Sequence, residues 1–201
     1  QYQLAFVYER ENQSTLALKH LEDAIKLDGE QARYYFAYGR VLMKQTKYKV
    51  AMSQIQKGLN IDKTNPQGYL LLAECCKELY RPDLALVSYE RAVEYDPNCA
   101  SAIYELGTIA LQLGEVDKAI SSFERALELN AEDPYAQYHL AQAYQRQGEN
   151  AKAEKHYEMA VALSPKDAFA AYNLGLVREE LGNREGALES FRKAVHLKPQ
   201  D

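Results

Sequence analysis

The stretch Tyr104–Asn130, YELGTIALQLGEVDKAISSFERALELN, returns 68 residues later as Tyr172–Lys198, YNLGLVREELGNREGALESFRKAVHLK. That separation is two periods of 34, and the period runs through all 201 residues. With repeats spanning 1–31, 32–65, 66–99, 100–133, 134–167 and 168–201, position 20 reads Ala17, Ala51, Ala85, Ala119, Ala153 and Ala187. Position 27 reads Ala24, Gly58, Ala92, Ala126, Ala160 and Ala194, and position 8 alternates Ala and Gly from Ala5 to Gly175. Position 24 is always large: Leu21, Ile55, Tyr89, Phe123, Tyr157 and Phe191. No insertion breaks the register, and the first repeat lacks only its first three residues. Such a period marks a repeat architecture, in which one supersecondary unit is stacked on the next.

Positions 4, 7, 8 and 11 recur at helical spacing, as do 20, 24, 27 and 28. Between them lies a short polar turn. It holds Gly114, Gly148 and Gly182 in the last three repeats, but Asn12, Thr46 and Tyr80 in the first three. Each repeat therefore reads as a helical hairpin. Small residues at 8, 20 and 27 let the two backbones approach, and large ones at 7 and 24 fill the remaining space. Pro82 suits the first turn of a second helix, where its missing N–H costs nothing. Pro97, Pro165 and Pro199, at position 32, end second helices.

The period and the 7-8-20-24-27 signature resemble the tetratricopeptide repeat, over essentially the whole chain. The resemblance implies an all-α fold, a right-handed superhelical solenoid of antiparallel helix hairpins whose first helices line a concave face. Some positions depart from the family pattern. Position 4 is Tyr in repeats two and three but Gln1, Ile103, Gln137 and Ala171 elsewhere. Gly58 stands inside a helix where the pattern has Ala, and position 32 is not Pro in repeats one, two and four. The chain is expected to act as one domain.

Composition agrees with a folded helical protein. Hydrophobic residues make up 47%, and Gly and Pro are sparse at 10 and 6, which favours helix throughout. The formal net charge of −5 lacks the basic footprint of a nucleic-acid module. No apolar run is long enough to span a bilayer. Three cysteines, Cys75, Cys76 and Cys99, form no CxxC pair and no disulfide framework. Cys75 and Cys76 point about 100° apart on one helix, and they read as reduced, buried thiols of a cytoplasmic protein.

Catalytic signatures are lacking. The four histidines are His20, His139, His156 and His196. His20 and His156 share repeat position 23, four repeats apart, so they cannot share a metal. No metalloprotease helix, phosphate-binding loop, nucleophile elbow or dinucleotide fingerprint is present. Glu124 with Glu128, and Glu154 with Glu158, are like-charge pairs of the kind found on solvated helix faces. Neither an enzyme activity nor a metal or other cofactor is expected.

A ligand in the concave groove would meet positions 2, 5, 9 and 12. Position 5 reads Tyr2, Phe36, Leu70, Tyr104, Tyr138 and Tyr172, and position 2 adds Arg33, Tyr135 and Phe169. Around repeat two, Arg33 and Arg40 lie seven residues apart, with Lys44 and Lys77 near. The expected site is a groove for an extended or helical peptide of a partner protein. Its acidic groups, or a terminal carboxylate, would sit near Arg33 and Arg40, with Lys77 on the same concave face, and its apolar side chains would lie over the aromatic column. The family branch that clamps terminal carboxylates uses Lys and Asn at set positions of three consecutive repeats, and no three repeats here match. The asparagine ladder of the family's sugar-transferring enzymes would retain only Asn173.

The chain opens at Gln1 rather than Met and closes without a polar capping helix. It is therefore expected to be part of a longer protein, or to dock a second copy on Leu188, Phe191 and Val195. The leading expectation is an adaptor scaffold. The alternatives are a self-associating module and a targeting or regulatory array attached to an enzyme.

Overall fold

The computed structural model describes residues 1–198, which form twelve α-helices and, among the described residues, no strand. The chain divides into two compact halves, Gln1–Ala102 and a second beginning at Ile103. The first contains α1 (Tyr2–Arg10), α2 (Ser14–Leu27), α3 (Ala32–Lys44), α4 (Tyr48–Ile61), α5 (Pro66–Glu78) and α6 (Pro82–Tyr95). The second takes up most of α7 (Ala100–Leu113), then α8 (Val116–Leu129), α9 (Pro134–Gln147), α10 (Asn150–Leu163), α11 (Ala168–Glu180) and α12 (Arg184–Leu197). Odd-numbered helices are the first helices of the repeats and even-numbered ones the second. Pro82 opens α6, and α6 and α10 stop before Pro97 and Pro165. Pro199, expected to end α12, lies outside the described residues.

In the first half α1 packs on α2, α3 on α4 and α5 on α6, and α2 on α3 and α4 on α5 join the hairpins. In the second half α8 to α12 pack each on the next. The position-20 alanines are buried in all six repeats, as are Leu21, Ile55, Tyr89, Phe123 and Tyr157 at position 24. Positions 8 and 24 are complementary. A Cβ placed on Gly107 would lie 2.7 Å from Phe123 Cε1, and one on Gly175 would lie 2.5 Å from Phe191 Cε1. The ring occupies the volume that the missing methyl group vacates. A fully buried ring such as Phe123 contributes about 1.5–3 kcal/mol to holding its hairpin shut.

The ends of the helices repeat as well. At position 31 Asp28, Asp62, Asp96 and Asn130 each accept the N–H two residues on, from Glu30, Thr64, Asn98 and Glu132. These turns re-aim the chain between repeats. At position 34, Asn65, Asp133 and Asp167 cap the following first helix by accepting its leading N–H groups.

Candidate peptide-binding face

In the first half, Arg40 does not stand free to receive an acidic ligand. Its Nε and Nη2 donate to Oε1 and Oε2 of Glu9, both at 2.8 Å, and Lys44 Nζ lies 3.0 Å from Glu9 Oε1. Glu9 is only 7% exposed. Burial pulls its carboxyl up, but Arg40 and Lys44 outweigh this and hold it below the usual carboxylate range. The hydrogen bond to Glu9 likewise raises Arg40, against burial. The pair is thus an internal tie between α1 and α3. The signal for it was an acid at position 12 followed by an arginine at position 9 of the next repeat.

Phe36 is a second correction. It was expected on the ligand-facing column, but it is 7% exposed and belongs to the core with Ile55, Leu59 and Leu71. The reason is a slot made by two glycines. A Cβ on Gly58 would come 2.5 Å from Phe36 Cε1, and one on Gly68 would come 2.7 Å from the same atom. Gly58, an oddity in the sequence, is the space for that ring. Arg33 is exposed, with its guanidinium 5.5 Å from the ring centroid of Tyr2 and 5.3 Å from that of Tyr34. Lys77 is half-buried in a hollow that Glu74 and Glu78 also line, so the charge there is mixed.

In the second half the first helices carry groove aromatics in two tiers. Tyr104 and Tyr138 are half-buried. Tyr104 meets Phe123 edge-on at 5.9 Å and His139 at 5.8 Å, and Tyr138 meets His139 at 5.2 Å and Tyr157 at 5.6 Å. Burial pushes the Tyr104 hydroxyl up to about 12 and raises that of Tyr138. The Tyr138 hydroxyl oxygen accepts from Gln142 Nε2 at 3.1 Å and from Asn173 Nδ2 at 3.0 Å. His139 lies flat on Phe123 at 5.7 Å and pairs through Nδ1 with Gln142 Oε1 at 3.0 Å. Burial lowers its pKa, against the opposing pull of Gln142, Asp133 and Glu105.

The outer tier is Tyr135, Phe169 and Tyr172, which are 66%, 59% and 49% exposed. At two of these residues a helix cap fixes the backbone. Asp133 accepts the N–H of Tyr135 and Asp167 that of Phe169, each at 2.9 Å. Tyr172 leans on Phe191 at 5.6 Å. Lys198 brings its ammonium to 4.0 Å from the Phe169 ring centroid, a neighbour that the repeat pattern did not foreshadow.

No cluster of metal-ligating side chains occurs among the described residues, and no described helix is long and apolar enough to cross a membrane. Cys75 and Cys76 are free and buried, and burial pushes the Cys75 thiol up to about 12. Two further histidines are built into packing. His20 stacks on Tyr8 and pairs with Gln1 Oε1 at 2.6 Å, and His156 stacks on Tyr144 and pairs with Gln137 Oε1 at 2.7 Å. The same three repeat positions, 4, 11 and 23, make the same arrangement in repeats one and five. On the second helices, Leu188 and Val195 of the expected docking stripe are exposed and Phe191 is half-buried. Between α4 and α6, an open groove of about 560 Å³ is lined by Met52, Leu72, Cys76, Leu84 and Val87.

Comparison with known proteins finds one family throughout. A family profile described as "Tetratricopeptide repeat" matches residues 2–66 and 138–201, another so described matches 66–99, and a "TPR repeat" profile matches 107–148. No curated protein matches the sequence. Solved structures do resemble it. YrrB, described as a TPR protein with an unusual peptide-binding site, shares 24% identity at a TM-score of 0.84, over 90% of this chain and 93% of its own. The MamA protein shares 28% at 0.81, over 86% of this chain and 94% of its own. PilF of Pseudomonas aeruginosa shares 20% at 0.78, over 100% of this chain and 91% of its own.

Proposed function

The chain belongs to the tetratricopeptide repeat family of protein–protein interaction scaffolds, and from that premise we propose that its first-helix face is a groove for a peptide segment of a partner protein. The observation that carries this reading is the outer aromatic tier. Tyr135, Phe169 and Tyr172 leave large rings in water on neighbouring first helices. Isolated exposed apolar residues need no explanation, whereas three large rings left about half or more in water on two successive first helices offer a contact surface. Tyrosine in particular offers contact area at little entropic cost. The peptide-binding site described for YrrB, a protein of the same fold, agrees with such a use. In this reading the protein is a non-enzymatic adaptor, and its buried, free thiols suit the reducing cytoplasm.

The test is an affinity pull-down from lysate, comparing the native chain with a Tyr135→Ser, Phe169→Ser, Tyr172→Ser variant of equal helicity. The half-buried Tyr104 and Tyr138 are left intact, because removing them would damage the core. The expected result is a partner retained by the native chain and lost by the variant. A partner held equally by both would refute the groove.

A further inference from the structure

The aromatic face of the second half also has a charge requirement, and this inference rests on the groove reading above. Tyr2, at position 5, is paired with Arg33, at position 2 of the next repeat, whose guanidinium lies over its ring. In the second half the same pair of positions holds Tyr104 with Tyr135, and Tyr138 with Phe169. Where repeat two supplies a cation at position 2, repeats five and six supply another ring. Aromatic faces attract cations through their quadrupole. Phe169 shows that this surface accepts one, because Lys198 has placed its ammonium there from within the chain.

The charges point the same way. From residue 103 onward there are 11 Lys and Arg against 16 Asp and Glu, while residues 1–102 hold 13 of each, so the whole net charge of −5 lies in the second half. Its first helices α7, α9 and α11 contain two cationic side chains, Arg146 and Arg178. Both are committed: Arg146 donates to the Leu111 carbonyl, and Arg178 donates to Glu154, Glu158 and Ser190. Glu105 and Glu179 stand on α7 and α11 at positions 6 and 12. A net-acidic half that exposes aromatic rings, with its first-helix arginines tied elsewhere, is complementary to a cationic ligand.

We propose that the face formed by Tyr135, Phe169 and Tyr172 recognises a basic segment of a partner protein, with Lys or Arg side chains stacked on these rings.

The experiment is panning of a random twelve-residue phage-displayed library against the full chain and against the Tyr135→Ser, Phe169→Ser, Tyr172→Ser variant, with helicity checked by circular dichroism. Peptides enriched in Lys and Arg over the input, and lost on the variant, are expected. Neutral or acidic peptides lost on the variant would overturn the cationic assignment while leaving the groove intact. No enrichment, or peptides that the variant retains, would overturn both. The leading peptide is then synthesised with its lysine replaced by norleucine, which keeps the alkyl chain and removes the charge. Native protein is expected to bind the lysine form about fivefold more tightly. Phe169→Leu, a milder change that preserves an apolar side chain, should erase most of that ratio. Equal affinity for the two peptides on native protein would overturn the proposal.

Discussion

The two halves are built on the same 34-residue pattern and use its free positions in opposite ways. In the first half, position 5 at Phe36 is turned into the core and position 9 at Arg40 is tied to Glu9. In the second, position 5 at Tyr172 stays half in water and position 2 at Tyr135 and Phe169 is more exposed still. The hairpin turns differ too. Asn12, Thr46 and Tyr80 take φ of +59°, +58° and +55°, where Gly114, Gly148 and Gly182 take +81°, +83° and +79°. The left-handed turn is therefore demanded by hairpin packing and is not a consequence of glycine. The framework positions specify the fold, and the remaining positions can be turned inward or outward without changing it.

The largest expected effect contrasts the two occupants of position 5. Phe36→Ala should lower stability by about 3–5 kcal/mol, since Gly58 and Gly68 leave no side chain to fill the vacated slot. Tyr172→Ala, with half its surface already in water, should cost about 1 kcal/mol or less. Urea unfolding of both variants checks this, and equal losses would erase the distinction between a packed and a presented ring.

A smaller effect is expected at the turns. A Cβ added to Gly148 meets nothing within 4 Å, so only backbone strain is at stake. Tyr80, 93% exposed, bears that strain without a compensating contact surface. Tyr80→Gly should raise stability by about 1 kcal/mol and Gly148→Tyr should lower it by a similar amount. Thermal melts of the two variants read the difference, and shifts of the same sign would show that the turns are not equivalent.

The smallest effect is in pH. Burial lowers the pKa of His139 and His156, both in the second half. Below the ordinary histidine value of about 6.5, the unfolded chain binds protons that the folded chain refuses, so stability falls as pH falls. Melting temperature should decline from pH 7.5 to 5.5, and His139→Gln should make the decline shallower. An unchanged slope would remove His139 from the account.

Much of this was legible in the sequence, because a 34-residue period repeated six times fixes helix spacing, turn position and the small-against-large packing of positions 8 and 24. Pro82 marked the start of α6 correctly, and six alanines at position 20 marked the closest approach. What escaped was the direction of particular side chains. Phe36 shares position 5 with Tyr172, and only the joint occurrence of Gly58 and Gly68 tells the two apart. Arg40 looked available until Glu9, 31 residues earlier, was brought beside it by the stacking of α1 on the next hairpin. Lys198 reached Phe169 across a distance in sequence that periodicity does not address. Repeat patterns report what every repeat shares, whereas the site is made from what single repeats do differently.

The central claim is that the exposed rings of the second half, and not the apolar groove between α4 and α6, hold the partner. It is tested most directly by setting the Tyr135→Ser, Phe169→Ser, Tyr172→Ser variant against a Leu84→Ser, Val87→Ser variant in one pull-down. The account predicts loss of the partner from the first and retention by the second. Retention by the first with loss from the second would contradict it.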